Sequence, residues 1–189
     1  LNNKRTILVG LAFLSICAFW QMYDNIVPLI LTRTFHMNET ISGLIMAADN
    51  ILALFLLPFF GSLSDRTNTK IGKRMPFILF GTGCAIILMN LLPLIENSYY
   101  AAPGTAKTVS FVIVLGLLLI AMGTYRSPAV ALMPDVTPKP LRSKGNAIIN
   151  LMGAVGGILY LAITSVLYSQ SRLEAIEAAG GRVNYQPLF

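Results

Sequence analysis

Five long apolar stretches dominate this 189-residue chain and decide what it can fold into; they run near residues 7–31, 41–63, 75–95, 109–132 and 146–168. At about 1.5 Å of helical rise per residue, some 20 residues cross a hydrocarbon core roughly 30 Å thick. Each stretch is a continuous apolar run rather than an alternating one, so each is expected to span as a helix that satisfies its own backbone polar groups. The expected fold is therefore an all-α membrane protein. Composition agrees: 12% of residues are charged, against about 25% in an average soluble domain, too few to coat a soluble globule.

Several other classes drop out. The two cysteines, Cys17 and Cys84, lie inside apolar runs and read as packing residues, which excludes a disulfide-stapled module. The net charge of +6 is divided among short clusters with no continuous basic face, so no nucleic-acid partner is expected. The first stretch is too long for a secretory signal core and lacks a small-residue cleavage site, so it is read as a retained helix. No connection is long enough for a separate soluble domain. The only histidine, His36, has no second ligand-type residue at metal spacing, and no catalytic triad, HExxH, P-loop or CxxC occurs, so neither an enzyme, a metal nor a cofactor is expected.

Basic residues set the orientation. Lys4, Arg5, Arg66, Lys70, Lys73, Arg74, Lys139, Arg142 and Lys144 fall on one side, nine in all, and Arg33, Lys107, Arg172 and Arg182, four in all, on the other. The nine-residue side is expected to be cytoplasmic, with the N-terminus inside. Residues 1–168 then form a transmembrane bundle. Residues 169–189 form an extracytoplasmic loop in which Ser171 to Ala179 is amphipathic, Gly180-Gly181 is a stop and Asn184-Tyr185-Gln186-Pro187 resembles the capped start of another helix.

Asp24, Asp49 and Arg126 are the charges inside the five stretches, and charge at membrane depth marks function by default. Both carboxylates are expected about 10–12 Å below the outer face, in one layer. Two carboxylates sharing an apolar layer cannot both ionise cheaply, which suits a proton-carrying site; the alternative is a hydrogen-bonded acid that holds helices together. Gln21, Asn25 and Asn50 add polarity to that layer. Pro28 removes the amide that would bond the Asp24 carbonyl, so irregular backbone is expected there. Arg126 lies about 9 Å from the inner end of its helix beside Tyr125, either on a substrate path or snorkelling to the interface. About 12 Å then separates it from the acidic layer, to be filled by water, a solute or groups from elsewhere. Asn150 matches Arg126 in depth, so the two could line one cavity. Gly153 and Gly157 form a G-x-x-x-G pair that predicts close helix packing.

The connection after the second stretch reads Gly61-Ser62-Leu63-Ser64-Asp65-Arg66-Thr67-Asn68-Thr69-Lys70-Ile71-Gly72-Lys73-Arg74-Met75-Pro76-Phe77. It resembles the signature loop of the major facilitator superfamily, in the longer form of the glycoside/pentoside/hexuronide and sucrose symporter branch. Tyr125-Arg126-Ser127-Pro128, Leu132-Met133-Pro134-Asp135 and Arg142-Ser143-Lys144-Gly145-Asn146 resemble that branch's connection between helices 4 and 5. The resemblance implies five of the six helices of an N-terminal half, a missing C-terminal half as partner, and alternating access in a cell membrane. It also implies that Gly61, Asp65, Arg66, Gly72, Lys73 and Arg74 form a cytoplasmic gate. Ala53 and Leu57 stand where melibiose-type members carry paired carboxylates, so their sodium site is not expected. Arg126 replaces the carboxylate those members place two residues before the helix 4 proline. The expected function is proton-coupled symport of a sugar or related small solute, with Asp24 and Asp49 as proton carriers and Gln21, Asn25, Asn50, Tyr125, Arg126 and Asn150 on the substrate path. The rivals are a uniporter or exporter of the same fold and a non-transporting scaffold.

Overall fold

The computed structural model describes residues 3–179, 181 and 183–189, without the side chains at 3–5, 133, 136, 170 and 177. Gly180, Arg182 and the side chains of Lys4 and Arg5 therefore lie outside the described residues. Five helices have membrane-crossing length and apolarity: α1 (Asn3–Leu29), α2 (Glu39–Arg66), α3 (Met75–Ala101), α4 (Thr105–Val136) and α5 (Arg142–Leu167). A short α6 (Gln170–Ala178) follows, and no strand occurs among the described residues. The helices outrun the apolar stretches because their polar ends continue the same hydrogen-bond ladder beyond the hydrocarbon.

Local chemistry sets the boundaries. Asn38 caps α2, its side chain accepting the Thr40 N–H at 3.1 Å, and Glu39 follows in the first turn, where a negative charge meets the positive end of the helix. Pro76 stands in the first turn of α3, where a missing N–H costs nothing. Pro28 does not break α1 at Asp24. The helix stays regular through Leu29, and the irregularity follows as a π-helical turn, Ile30–Thr34. There the Thr32 hydroxyl donates to the Pro28 carbonyl at 2.8 Å. His36, at φ 52°, ends that turn in the left-handed conformation while the Met37 N–H bonds the Leu31 carbonyl at 3.0 Å.

Two seams hold the bundle. Along α1 and α5, a Cβ added to Gly153 would sit 2.8 Å from the Cys17 Sγ, and one on Gly157 3.3 Å from the Gln21 Cγ. The pair marked by its spacing does pack closely, yet the glycine that meets backbone is Gly156, whose added Cβ would overlap the Leu14 carbonyl oxygen and lie 2.9 Å from the Leu14 Cα. Along α3 and α4, Gly81 admits Tyr125, whose Cβ would be 2.8 Å from an added methyl. Met22, Tyr23, Val27, Leu92, Phe111 and Leu118 form the buried centre. Leu54, Phe55, Phe80, Ile87, Ile158 and Val166 point outward, the face a bilayer solvates.

α2 rests on α4 by a polar contact: the Ser127 hydroxyl donates to the Leu57 carbonyl at 2.9 Å. Gly61 makes room for it, since a Cβ there would stand 3.0 Å from that hydroxyl. The loops between α2 and α3 and between α4 and α5 lie at the same end, joined through Arg74 and Asp135. We call this the basic end.

Candidate functional site

Three helices carry the candidate polar residues. On α1, the Asn25 side chain donates to the Gln21 carbonyl at 2.7 Å and to its side-chain oxygen at 3.2 Å, which orients both amides beside Asp24. On α2, Asn50 donates to the Asp49 carboxylate at 2.9 Å. Asp24, Asn25 and Asn50 are exposed and Asp49 half-buried.

Arg126 enters from α4. Its guanidinium lies 4.9 Å above the centre of the Trp20 ring, a cation–π contact. Trp20, Asp49, Leu56, Leu119, Gly123 and Arg126 line a narrow cavity of about 20 Å³, room for one water. Among the described residues no ion pair within 4.0 Å joins Arg126 to Asp24 or Asp49. Asp24 does not line this cavity. Trp20 was not marked by its sequence; a lone tryptophan in an apolar run reads as packing, and only its place one turn before Asp24 could have singled it out.

Two residues expected on the substrate path stand apart. Tyr125 is buried against Gly81 and lines a separate apolar cavity of about 470 Å³ with Leu14, Met22, Met122 and Tyr160. Asn150 is exposed on α5, and among the described residues no hydrogen bond joins it to Arg126.

At the basic end one guanidinium serves two helices. Arg74 Nη2 lies 3.0 Å from Asp65 in the last turn of α2, and Arg74 Nε 2.5 Å from Asp135 in the last turn of α4. Its third nitrogen reaches the Ser64 hydroxyl at 3.3 Å. A carboxylate at a helix C-terminus faces the negative end of the dipole, and here a shared cation offsets both. The loop is shaped by Gly72 at φ 106°, whose carbonyl accepts the Thr69 hydroxyl at 2.6 Å. Arg66 and Lys73 are exposed. Lys73 joins Asp65, Arg74, Asp135, Lys139 and Arg142 around an open pocket of about 730 Å³. Asp135 was quoted in the sequence only as part of a connection; its partner lies 61 residues away. Replacing Arg74 with Gln should loosen this end by about 1 kcal/mol, the scale of a solvent-exposed ion pair. Amide exchange in residues 67–74 and the last turn of α4 should then quicken about fivefold in a hydrogen-exchange measurement.

The opposite end holds a carboxylate that the sequence left outside the third stretch. Because α3 runs on to Ala101, Glu96 is helical, fully buried, and accepts the Thr34 hydroxyl at 3.1 Å. Nearby, the Asn184 side chain accepts the Gln186 N–H at 3.0 Å, the geometry of a helix cap, and a single 3-10 turn, Gln186–Leu188, follows. Asn97 donates to the Gln186 side chain at 3.2 Å, and Tyr185 stacks on Tyr168. No group of three or more possible metal ligands occurs among the described residues.

Comparison with known proteins follows the same lines. Residues 9–179 match the Major Facilitator Superfamily pattern. The chain belongs to the major facilitator superfamily. It is similar to the sucrose transport protein SUC3 of Arabidopsis thaliana, 31% identical over 139 residues, which are 67% of this chain and 23% of that protein. Sucrose transport protein SUT3 of Oryza sativa subsp. indica is 28% identical over 141 residues, covering 67% of this chain and 28% of its own length. Alpha-ketoglutarate permease of Escherichia coli is 27% identical over 149 residues, 76% of this chain and 31% of its own. The chain thus spans less than a third of the curated relatives it matches. No solved structure gave a significant match.

As a member of the major facilitator superfamily the chain is a multi-pass membrane protein of a transport family rather than an enzyme. Its five membrane-length helices are consistent with an N-terminal half of that architecture.

Proposed function

We propose that this chain is the N-terminal half of a proton-coupled symporter of a sugar or related small solute, working by alternating access in the cell membrane. The observation that carries the reading is the cavity that Asp49 of α2 and Arg126 of α4 line together inside the bundle. Two acids from neighbouring helices supply sites that can load and release protons, and the arginine supplies donors for hydroxyl or carboxylate groups of a solute. The basic end is cytoplasmic by the excess of Lys and Arg there. Residues 1–168 form the bundle, and 169–189 lead outside the membrane toward a sixth helix. Asp65, Arg66, Lys73 and Arg74, with Gly61 and Gly72, gate the cytoplasmic side against the C-terminal half.

The relatives support a sugar first, since two of those named above are sucrose transport proteins. A second reading, an organic acid, is favoured by Arg126, which faces the site as a cation, and by the similarity to an alpha-ketoglutarate permease. One measurement tests both. The full-length protein in proteoliposomes should accumulate radiolabelled sucrose when the outside is acid and lose that accumulation when a protonophore collapses the gradient. Equal uptake with and without the gradient would make it a uniporter. Uptake of labelled 2-oxoglutarate in place of sucrose would move the substrate to the acids, and no flux of either would favour a scaffold.

A further inference from the structure

The outward side of α3 carries a polar group that the site described above does not use. Asn90 is exposed, and around it on the same side Leu79, Ile86, Ile87 and Leu94 are exposed and apolar. The apolar run Leu91 to Ile95 separates it from Glu96, so it lies about 8 Å inside the end of the apolar stretch, too deep for a short side chain to reach interfacial water. One amide N–H is used locally, donating to the Ile86 carbonyl at 2.8 Å, one turn back. The amide oxygen and the second N–H have no partner among the described residues, and unpaired polar atoms in hydrocarbon are costly.

The surroundings of Asn90 suit another helix. Leu79, Gly83, Ile86, Asn90 and Leu94 follow one another at three- and four-residue spacings and so share one stripe of α3. A Cβ added to Gly83 would meet nothing within 4 Å, which leaves the backbone there open to close approach. The chain's own tail covers the adjoining side of α3: Leu188 and Phe189 line the cavity of about 470 Å³ with Thr82, Ala85 and Met89, and Asn90 is not part of its wall. Whatever covers Asn90 must therefore bring a donor and an acceptor to the same depth from outside this bundle. A second copy does so by symmetry. All copies cross the membrane in the same direction, and on a two-fold axis along the membrane normal a residue meets itself. A primary amide is complementary to itself, each N–H donating to the other's oxygen.

We propose that the outward stripe of α3 is the contact surface of a homodimer, in which the Asn90 amides of two copies exchange hydrogen bonds across a two-fold axis and Gly83 lets the two helices approach. Leu79, Ile86 and Leu94 supply the apolar packing on either side of the amides. The pairing is independent of what the protein transports and of proton coupling.

The test uses the full-length protein, carrying one fluorophore per chain, in liposomes at increasing lipid dilution, where photobleaching steps count the copies in each assembly. The wild type should show two steps. In Asn90→Leu the dissociation constant should rise about tenfold, the scale of an interhelical amide hydrogen bond in a membrane. Asn90→Gln, which keeps the amide, should recover most of the pairing. Unfolding in mixed micelles separates lost pairing from lost folding, and leucine at this lipid-facing position should leave it unchanged. In protein otherwise free of cysteine, Leu94→Cys should cross-link two copies on oxidation. Leu91→Cys, next to Asn90 in sequence but about 100° round the helix, should not. A single bleaching step for the wild type at every dilution, which would mean that lipid or the rest of the chain covers Asn90, would overturn the dimer. So would pairing that Asn90→Leu leaves unchanged, or cross-linking that does not distinguish Leu91 from Leu94. None of these results alters the symport reading, which stands or falls on the uptake measurement above.

Discussion

Asp24→Asn in the full-length protein is expected to abolish uphill accumulation of solute while exchange of labelled for unlabelled solute persists. Asparagine keeps the size and hydrogen-bonding capacity of a protonated aspartate but cannot ionise, so the variant imitates a permanently loaded carrier. Exchange needs only the loaded carrier to cross in both directions. Accumulation needs the proton to leave and the empty carrier to return, and that return is blocked. A gradient of about one pH unit is worth about 1.4 kcal/mol per proton and supports about tenfold accumulation; the variant should reach a ratio of about one. The same outcome is expected for Asp49→Asn, because Asp49 lines the cavity that Arg126 enters. Undiminished proton-driven accumulation by the Asp24 variant, measured in proteoliposomes, would make Asp24 structural and leave coupling to Asp49.

The largest effect on stability should come from Gly156→Val. An added Cβ there runs into the backbone of Leu14, with a carbonyl carbon and Cα at 2.9 Å, and backbone cannot turn aside as a side chain can. α1 and α5 must separate to admit the new atoms, opening the seam on both sides of the contact. Overpacking of this kind costs about 3 kcal/mol or more. Gly116→Ala on α4 is the matched control: nothing lies within 4 Å of its added Cβ, and alanine favours a helix by about 0.5–1 kcal/mol over glycine. Unfolding in mixed detergent micelles should therefore show a large loss for the first variant and none for the second. Equal losses would mean that the two helices are not joined at Gly156.

Much of this architecture was legible in the sequence because the bilayer leaves few choices. A helix that must cross hydrocarbon announces itself by length, and charges that must stay in water mark its ends. The candidate acids were legible for the same reason, since Asp24 and Asp49 stand out against lipid. What stayed hidden depends on rotation about helix axes and on partners distant in sequence. The i, i+4 pair Gly153 and Gly157 is visible as spacing, but which glycine meets backbone is set by the phase of α5 against α1, and that phase selects Gly156. Asp135 looks solvated until α3 brings Arg74 beside it. Glu96 lay one residue past the apolar stretch, and only the continuation of α3 to Ala101 buries it. Pro28 was expected to break α1 at Asp24; instead the helix absorbs the ring, and the backbone adjusts a few residues later, where Thr32 can satisfy a freed carbonyl.

The shared guanidinium at the basic end also has a mechanical meaning. Arg74 fastens the last turns of α2 and α4 to one atom group, so relative motion of those helices is a rotation about that point rather than a slide. Asp49 lies 16 residues up α2 from Asp65, about 24 Å along the axis, and Arg126 lies nine residues up α4 from Asp135, about 13 Å. These distances are lever arms. A tilt of about 10° of α2 about the fastening carries Asp49 sideways by about 4 Å, more than the width of a water molecule. A small angular play at one salt-bridged corner is thereby magnified into a large displacement of Asp49 at the far end of the arm.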